Sequence, residues 1–202
     1  MAHTQNVITG DCHLVLPTLA AKSVDVVVTS PGTDDQSWLP EIFRVLKNDG
    51  SLFLHGALEA AHHKLFLVQN RITWIKSSYS PSKSDLYLDS VAEDLYHLTK
   101  YGDVPLDRLA IGVQYANGVR CRGNVWRLSN IARGKHHPDD FPVSLPRRCI
   151  KLHGIAPGMM VLDPFCGGGA TLRAAQMLGV NAVGIEINPI WSELALDNLS
   201  DL

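Results

Sequence analysis

The 202-residue sequence has no apolar run near the roughly 18 residues that a membrane-spanning helix needs. The stretch Met1 to Asn6 carries neither a charged region nor a long apolar segment, so no export signal is expected. Cysteine is scarce: Cys12, Cys121, Cys149 and Cys166 lie far apart, with no C-x-x-C pair. That spacing argues against a disulfide framework and predicts reduced thiols in a cytoplasmic protein. The neighbouring pairs His62-His63 and His136-His137 also lack zinc-ligand spacing, so no metal is expected. Neither sign of charge dominates, the formal net charge being −2, which removes any global attraction to polyanions. There is no internal repeat and no low-complexity tract.

What is present is apolar patterning. Hydrophobic residues make up 46% of the chain, enough for a single domain spanning 1–202 with its own core. Val24 to Thr29 is a nearly continuous β-branched run, the signature of a strand buried on both faces of a parallel sheet. Trp38, Ile42, Val45 and Leu46 fall at helical spacing, ended by Lys47 to Gly50. Strands are expected over Asn6 to Thr9, Ser51 to His55, Arg71 to Ile75, Met160 to Leu162 and Ala182 to Ile185. Helices are expected around Leu58 to Leu65, from Pro142, over Thr171 to Leu178 and over Pro189 to Leu199. Strands alternating with helices predict an α/β fold, a mostly parallel sheet with helices on both faces. Residues 77–135 break the alternation and read as an insertion of strands and long loops.

The densest information lies in Asp163-Pro164-Phe165-Cys166-Gly167-Gly168-Gly169-Ala170-Thr171. An apolar run ends in Asp163, a turn of three glycines follows, and a helical pattern opens at Thr171. Glycines without Cβ let a ligand approach the backbone, and helix-start amides favour electron-rich groups. A second run, Asn181 to Ile185, ends in Glu186, about 20 residues after the glycines, the offset at which a carboxylate takes ribose hydroxyls in nucleotide-binding α/β folds. The loop is not a phosphate loop, because Ala170 and Thr171 stand where Lys and Ser or Thr would be needed, and it lacks the G-x-G-x-x-G spacing.

These residues resemble the S-adenosyl-L-methionine loop of DNA amino-methyltransferases, in which Asp-Pro-Phe-x-Gly-x-Gly is followed by Gly-Ile-Glu, here Gly184-Ile185-Glu186. The position of the loop late in the chain resembles the circularly permuted class, in which the catalytic motif comes first. The resemblance implies a Rossmann-like, seven-stranded methyltransferase fold. Thr29-Ser30-Pro31 stands where that class carries Asp, Asn or Ser, then Pro-Pro and an aromatic residue; Gly32 and Thr33 depart from the pattern. Gly10-Asp11-Cys12 is similar to the family's opening, and His137-Pro138-Asp139-Asp140-Phe141-Pro142-Val143-Ser144 to its cofactor-side motif.

Carried over on these motifs, Ser30 and Pro31 are the expected catalytic pair. Asp11, Cys12, Phe141, Pro142, Ser144, Asp163, Pro164, Phe165, Cys166, Gly167, Gly169, Thr171, Glu186 and Asn188 are the expected cofactor contacts. The resemblance implies methylation of an exocyclic amino group in DNA, with Ser30 leaning toward cytosine N4 and adenine N6 left open. The alternatives are a cofactor-binding DNA-recognition protein with a degenerate catalytic corner, or a methyltransferase for RNA or a small molecule. Between Gly118 and Lys151 eight basic residues face two acidic ones, a local excess that phosphate neutralisation rewards. Arg120, Arg122 and Arg127 are the expected DNA contacts, and residues 77–135 the target-recognition region. Family members are often dimers, so a homodimer is expected, encoded by a bacterium or phage, with no membrane partner.

Overall fold

In the computed structural model the residues described are 3–32, 35–56, 64–76, 86, 88–114, 120–121, 123–128 and 141–200. The chain opens with β1 (Gln5–Thr9), a short helix α1 (Cys12–Val15) that runs into a 3-10 turn (Leu16–Thr18), β2 (Val24–Thr29), α2 (Leu39–Val45) and β3 (Leu46–His55). It continues through β4 (Leu67–Lys76), β5 (Ala92–Thr99), β6 (Val113–Gln114), β7 (Arg120–Cys121) and β8 (Val125–Leu128). The last part is α3 (Ser144–His153), β9 (Met160–Asp163), α4 (Ala170–Leu178), β10 (Asn181–Glu186) and α5 (Pro189–Ser200).

The main sheet has the order β1-β10-β9-β2-β3-β5-β4-β8, and β6 and β7 form a separate antiparallel pair. Within the main sheet, β5 alone among the described strands runs against its neighbours. The mostly parallel α/β sheet is as expected, but eight strands replace the seven. The eighth, β8, lies parallel to β4 with Trp126 opposite Trp74. Its alternation puts Trp126 in the core and leaves Val125 and Arg127 exposed, so burying one indole recruits the strand.

Alternation also explains the two-sided core. Val26 and Val28 of β2 join Val161, Leu145, Ile150 and Leu172 on one face. Val27 joins Leu162, Ile42, Leu39 and Leu16 on the other. A strand flanked on both faces needs apolar residues at every position, and that is why Val24 to Thr29 is β-branched almost throughout.

Several boundaries move. α2 stops at Val45 and Leu46 already pairs with Val24; the register shift before Val26 absorbs Lys47 to Gly50, and Lys47 Nζ donates to Asp25 Oδ1 at 2.6 Å. The other oxygen of Asp25 accepts the Met160 backbone N–H at 2.9 Å, which ties β2 to the start of β9. β4 extends well beyond Arg71 to Ile75 because it pairs along its length with β5. The expected helix over Leu58 to Leu65 lies largely outside the described residues. Among the described residues no helix is long and apolar enough to cross a membrane.

β9 connects onward to β10 on one side and β2 to β3 on the other, so the order of the sheet reverses between β9 and β2. At such a reversal the two following loops diverge and open a crevice beyond the carboxyl ends of the strands. The glycine loop follows β9, and the Ser-Pro corner follows β2.

Candidate active site

A cavity of about 450 Å³ fills this crevice, within the roughly 300–1,000 Å³ usual for small-molecule sites. Its wall collects the ends of four adjacent parallel strands: Gly10 to His13 after β1, Ile185 to Ile187 at β10, Asp163 to Gly167 at β9, and Ser30 to Gly32 after β2. Asp35, Phe141 and Ala170 complete it. Of the expected residues, Asp11, Cys12, Ser30, Pro31, Phe141, Asp163, Pro164, Phe165, Cys166, Gly167 and Glu186 all line this one cavity.

Five expected cofactor contacts do not. Thr171 is buried beneath the loop, where its hydroxyl donates to Asp163 Oδ2 at 2.7 Å. Gly169 caps α4 and abuts Ala195 of α5. Asn188 Oδ1 accepts the Ile190 backbone N–H at 3.0 Å and so starts α5. Pro142 is buried before α3, and Ser144 is the exposed first residue of that helix. None of these five is among the residues that line the cavity. Nothing is described of Arg122 or of the Arg120 side chain; Arg127 lies exposed on β8, four strand spacings from β2, or about 19 Å.

The loop is organised from its first residue. Asp163 Oδ1 accepts the Phe165 backbone N–H at 3.1 Å while Oδ2 holds Thr171, so one carboxylate links the strand end to the first turn of α4. Cys166 lies beneath Gly184; a Cβ there would sit 2.7 Å from Cys166 Sγ, so the glycine of Gly-Ile-Glu is needed for packing. Phe165 meets Trp38 edge-on, the ring centroids 5.1 Å apart. Trp38 Nε1 donates to the Asp35 carbonyl at 2.9 Å, which braces the segment after the Ser-Pro corner.

At the opposite rim, Asp11 Oδ1 accepts the His13 backbone N–H and lies 2.9 Å from its ring Nδ1. His13 Nε2 in turn lies 2.8 Å from Ser37 Oγ and 3.3 Å from Asp35 Oδ2. Asp35 accepts the backbone N–H and hydroxyl of Ser37, so its carboxylate orders the turn before α2. The backbone hydrogen bond from His13 is the main cause holding Asp11 below the ordinary carboxylate range; that from Ser37 does the same for Asp35. Burial, with Asp11 adding to it, pushes the Cys12 thiol up to about 11, so it stays protonated at neutral pH. Two histidines absent from the expected set join the site: His13 lines the cavity, and His55, at the end of the strand paired with β2, meets Ser30 from behind.

Asp11, Asp35, Asp163 and Glu186 line the cavity, and among the described residues no Lys or Arg does so. Such a lining repels phosphates and accommodates a cation. Buried Glu186 accepts one backbone N–H on each oxygen, and a carboxylate has further lone pairs on both to offer ribose hydroxyls. The apolar sides of Phe165, Ile187 and Cys166 suit a flat base. The donor set therefore fits a sulfonium nucleoside.

Comparison with known proteins agrees with this geometry. Residues 35–197 match the family model for N6/N4 methyltransferases, described as DNA methylase. The DNA adenine methyltransferase YhdJ of Escherichia coli is 26% identical, over 96% of this chain and 82% of its own length. Among solved structures, PvuII DNA methyltransferase (cytosine-N4-specific) superposes with a TM-score of 0.82 at 18% identity, covering 98% of this chain and 87% of that one. The complex of M1.HpyAVI with SAM gives 0.75 at 20% identity, covering 97% and 100%. The fold is thus that of the S-adenosyl-L-methionine-dependent methyltransferases, and the chain belongs to the N6/N4 DNA methylase family.

Proposed function

We propose that this protein transfers a methyl group from S-adenosyl-L-methionine to an exocyclic amino group, cytosine N4 or adenine N6, of a base extruded from duplex DNA. The observation that carries the proposal is that Ser30 and Pro31 share one cavity with Glu186 and the Asp163 loop. When bound, the cofactor supplies an electrophilic methyl group. Glu186 holds its ribose, Asp11 its adenine amino group, and Phe165 and Ile187 flank the base.

The exocyclic nitrogen is a poor nucleophile because its lone pair is delocalised into the ring. Two acceptors that take its N–H hydrogens draw the lone pair out of conjugation. Ser30 Oγ and the Pro31 carbonyl are those acceptors, on a corner fixed by the buried end of β2. Extruding the base costs a few kcal/mol, which contacts to the strand ends offset. The region 77–135 reads the target, with Arg120, Arg122 and Arg127 on phosphates or base edges. The protein works in the cytoplasm, as a homodimer, with no metal requirement.

The test is incubation with the cofactor and unmethylated genomic DNA, followed by mass spectrometry of the digested nucleosides. N4-methylcytosine or N6-methyladenine is expected, and Ser30→Ala should cut the yield by about 100-fold or more while cofactor binding persists. A protein that binds the cofactor but leaves DNA unmodified and methylates RNA or free nucleosides instead would refute the proposal.

A further inference from the structure

Ser30 has a side-chain partner behind it. Its Oγ lies 3.0 Å from Nδ1 of His55, the last residue of β3. Nε2 of the same ring lies 2.6 Å from Oε2 of Glu93 on β5. Lys76, the last residue of β4, donates through Nζ to the other Glu93 oxygen at 2.7 Å. The His55 side chain is only 14% exposed, with Trp74 tilted against it at 5.7 Å and Phe141 edge-on at 6.3 Å between centroids. Phe141 also lines the cavity, so the array reaches the site from behind Ser30.

The hydrogen positions in this chain follow from valence. The hydrogen bond from His55 is the main cause that drops the Glu93 carboxyl to about 2, with Lys76 helping, so Glu93 is a carboxylate at neutral pH and can only accept. In the uncharged form of the ring the proton therefore sits on Nε2, and Nδ1 is bare. A bare Nδ1 can only accept, so the Ser30 hydroxyl must donate to it. The serine lone pairs then turn toward the cavity, the orientation required to receive an N–H. Without His55 the hydroxyl is free to present its hydrogen to the cavity instead.

We propose that His55, oriented by Glu93 and Lys76, is a positioning residue that makes Ser30 an acceptor and takes up the proton released by the methylated amino group. This rests on the functional reading above. An amino group that gains a methyl must shed one proton. The N–H bond breaks with its electron pair left on nitrogen, and the proton arrives on Ser30 Oγ. At the same time the original Ser30 proton passes to the Nδ1 lone pair. Serine ends neutral, the imidazolium carries one positive charge facing the Glu93 carboxylate, and water later removes the proton.

A simple clamp joining β3, β4 and β5 would use the same contacts, so the test must separate the two. Nitrogen-15 spectra of the His55 ring in the unaltered protein should show protonated Nε2 and unprotonated, hydrogen-bonded Nδ1. His55→Gln should lower the single-turnover methylation rate by about 100-fold with cofactor and duplex affinities unchanged. Glu93→Gln should shift the ring toward the Nδ1–H form and slow transfer while the fold persists by circular dichroism. A ring protonated on Nδ1, or undiminished transfer by His55→Gln, overturns the inference and leaves the functional reading standing. Absence of any methyl transfer to DNA by the unaltered protein overturns the functional reading, and this inference with it.

Discussion

The Gly167 backbone N–H donates to Glu186 Oε2 at 3.0 Å across the 19 positions that separate the two residues. This bond ties the glycine loop to the end of the neighbouring strand. The second oxygen is held by the Asn188 backbone N–H at 2.8 Å, so the carboxylate is fixed in place before any ligand arrives.

Glu186→Gln should therefore weaken cofactor binding although it is isosteric. In either orientation the amide points an NH2 group at a backbone N–H, and one acceptor for the ribose is lost. Hydrogen bonds to charged groups are worth about 1.5–3 kcal/mol, so the dissociation constant should rise by roughly 10- to 100-fold. Titration calorimetry with S-adenosyl-L-methionine measures it. An unchanged constant would show that Glu186 only shapes the loop.

Gly32 adopts φ +59°, in the left-handed region. Proline is locked near φ −65°, so the second proline of the family motif cannot be placed on this backbone. Gly32→Pro should rebuild the corner, with lowered thermal stability and reduced methylation, even though it restores the family pattern. An active and equally stable Gly32→Pro protein would show that the corner has a second accessible shape.

His97 is fully buried, with Nε2 2.9 Å from Ser51 Oγ and Nδ1 3.3 Å from Asn70 Nδ2. Burial, aided by nearby His153, lowers its pKa from 6.5 to about 4. As pH falls through 6.5, the unfolded chain takes up a proton that the folded chain refuses until about pH 4. Stability is thus full above pH 6.5 and is lost across that window, by on the order of 3 kcal/mol. His153, shifted the same way by burial, adds to the slope. The melting temperature should fall from pH 7 to pH 5, and His97→Gln should flatten the decline. A slope that ignores this substitution would place the acid sensitivity elsewhere.

Arg127 is exposed beside buried Trp126 on the edge strand. If it meets a phosphate, Arg127→Ala should weaken duplex binding uniformly across sequences and reduce the slope of log affinity against log salt by about 1. Fluorescence anisotropy over a salt series reads both. A loss confined to one target sequence would assign it to a base edge instead.

Much of the fold was legible because local patterns carry it. The β-branched run of β2, the apolar strand ending in Asp163 and the strand ending in Glu186 each announce a buried parallel strand and its final residue. Where burial depends on distant partners, local pattern is not enough: Leu46, at helical spacing, pairs with Val24 instead, and nothing local places the strand of Trp126 beside that of Trp74.

The sequence by itself determined the α/β class, the glycine loop, the Ser-Pro corner and their order along the chain, since each is written in contiguous residues with a fixed spacing. Only the tertiary structure decided that β9 and β2 lie side by side, which brings two motifs more than a hundred positions apart into one cavity. The tertiary structure also set Thr171 beneath the loop on Asp163 and Asn188 at the start of α5, and it made His55, Glu93 and Lys76 meet behind Ser30. Those three come from the ends of separate strands, and it is the pairing of strands across the sheet, not the spacing of residues along the chain, that sets their distances.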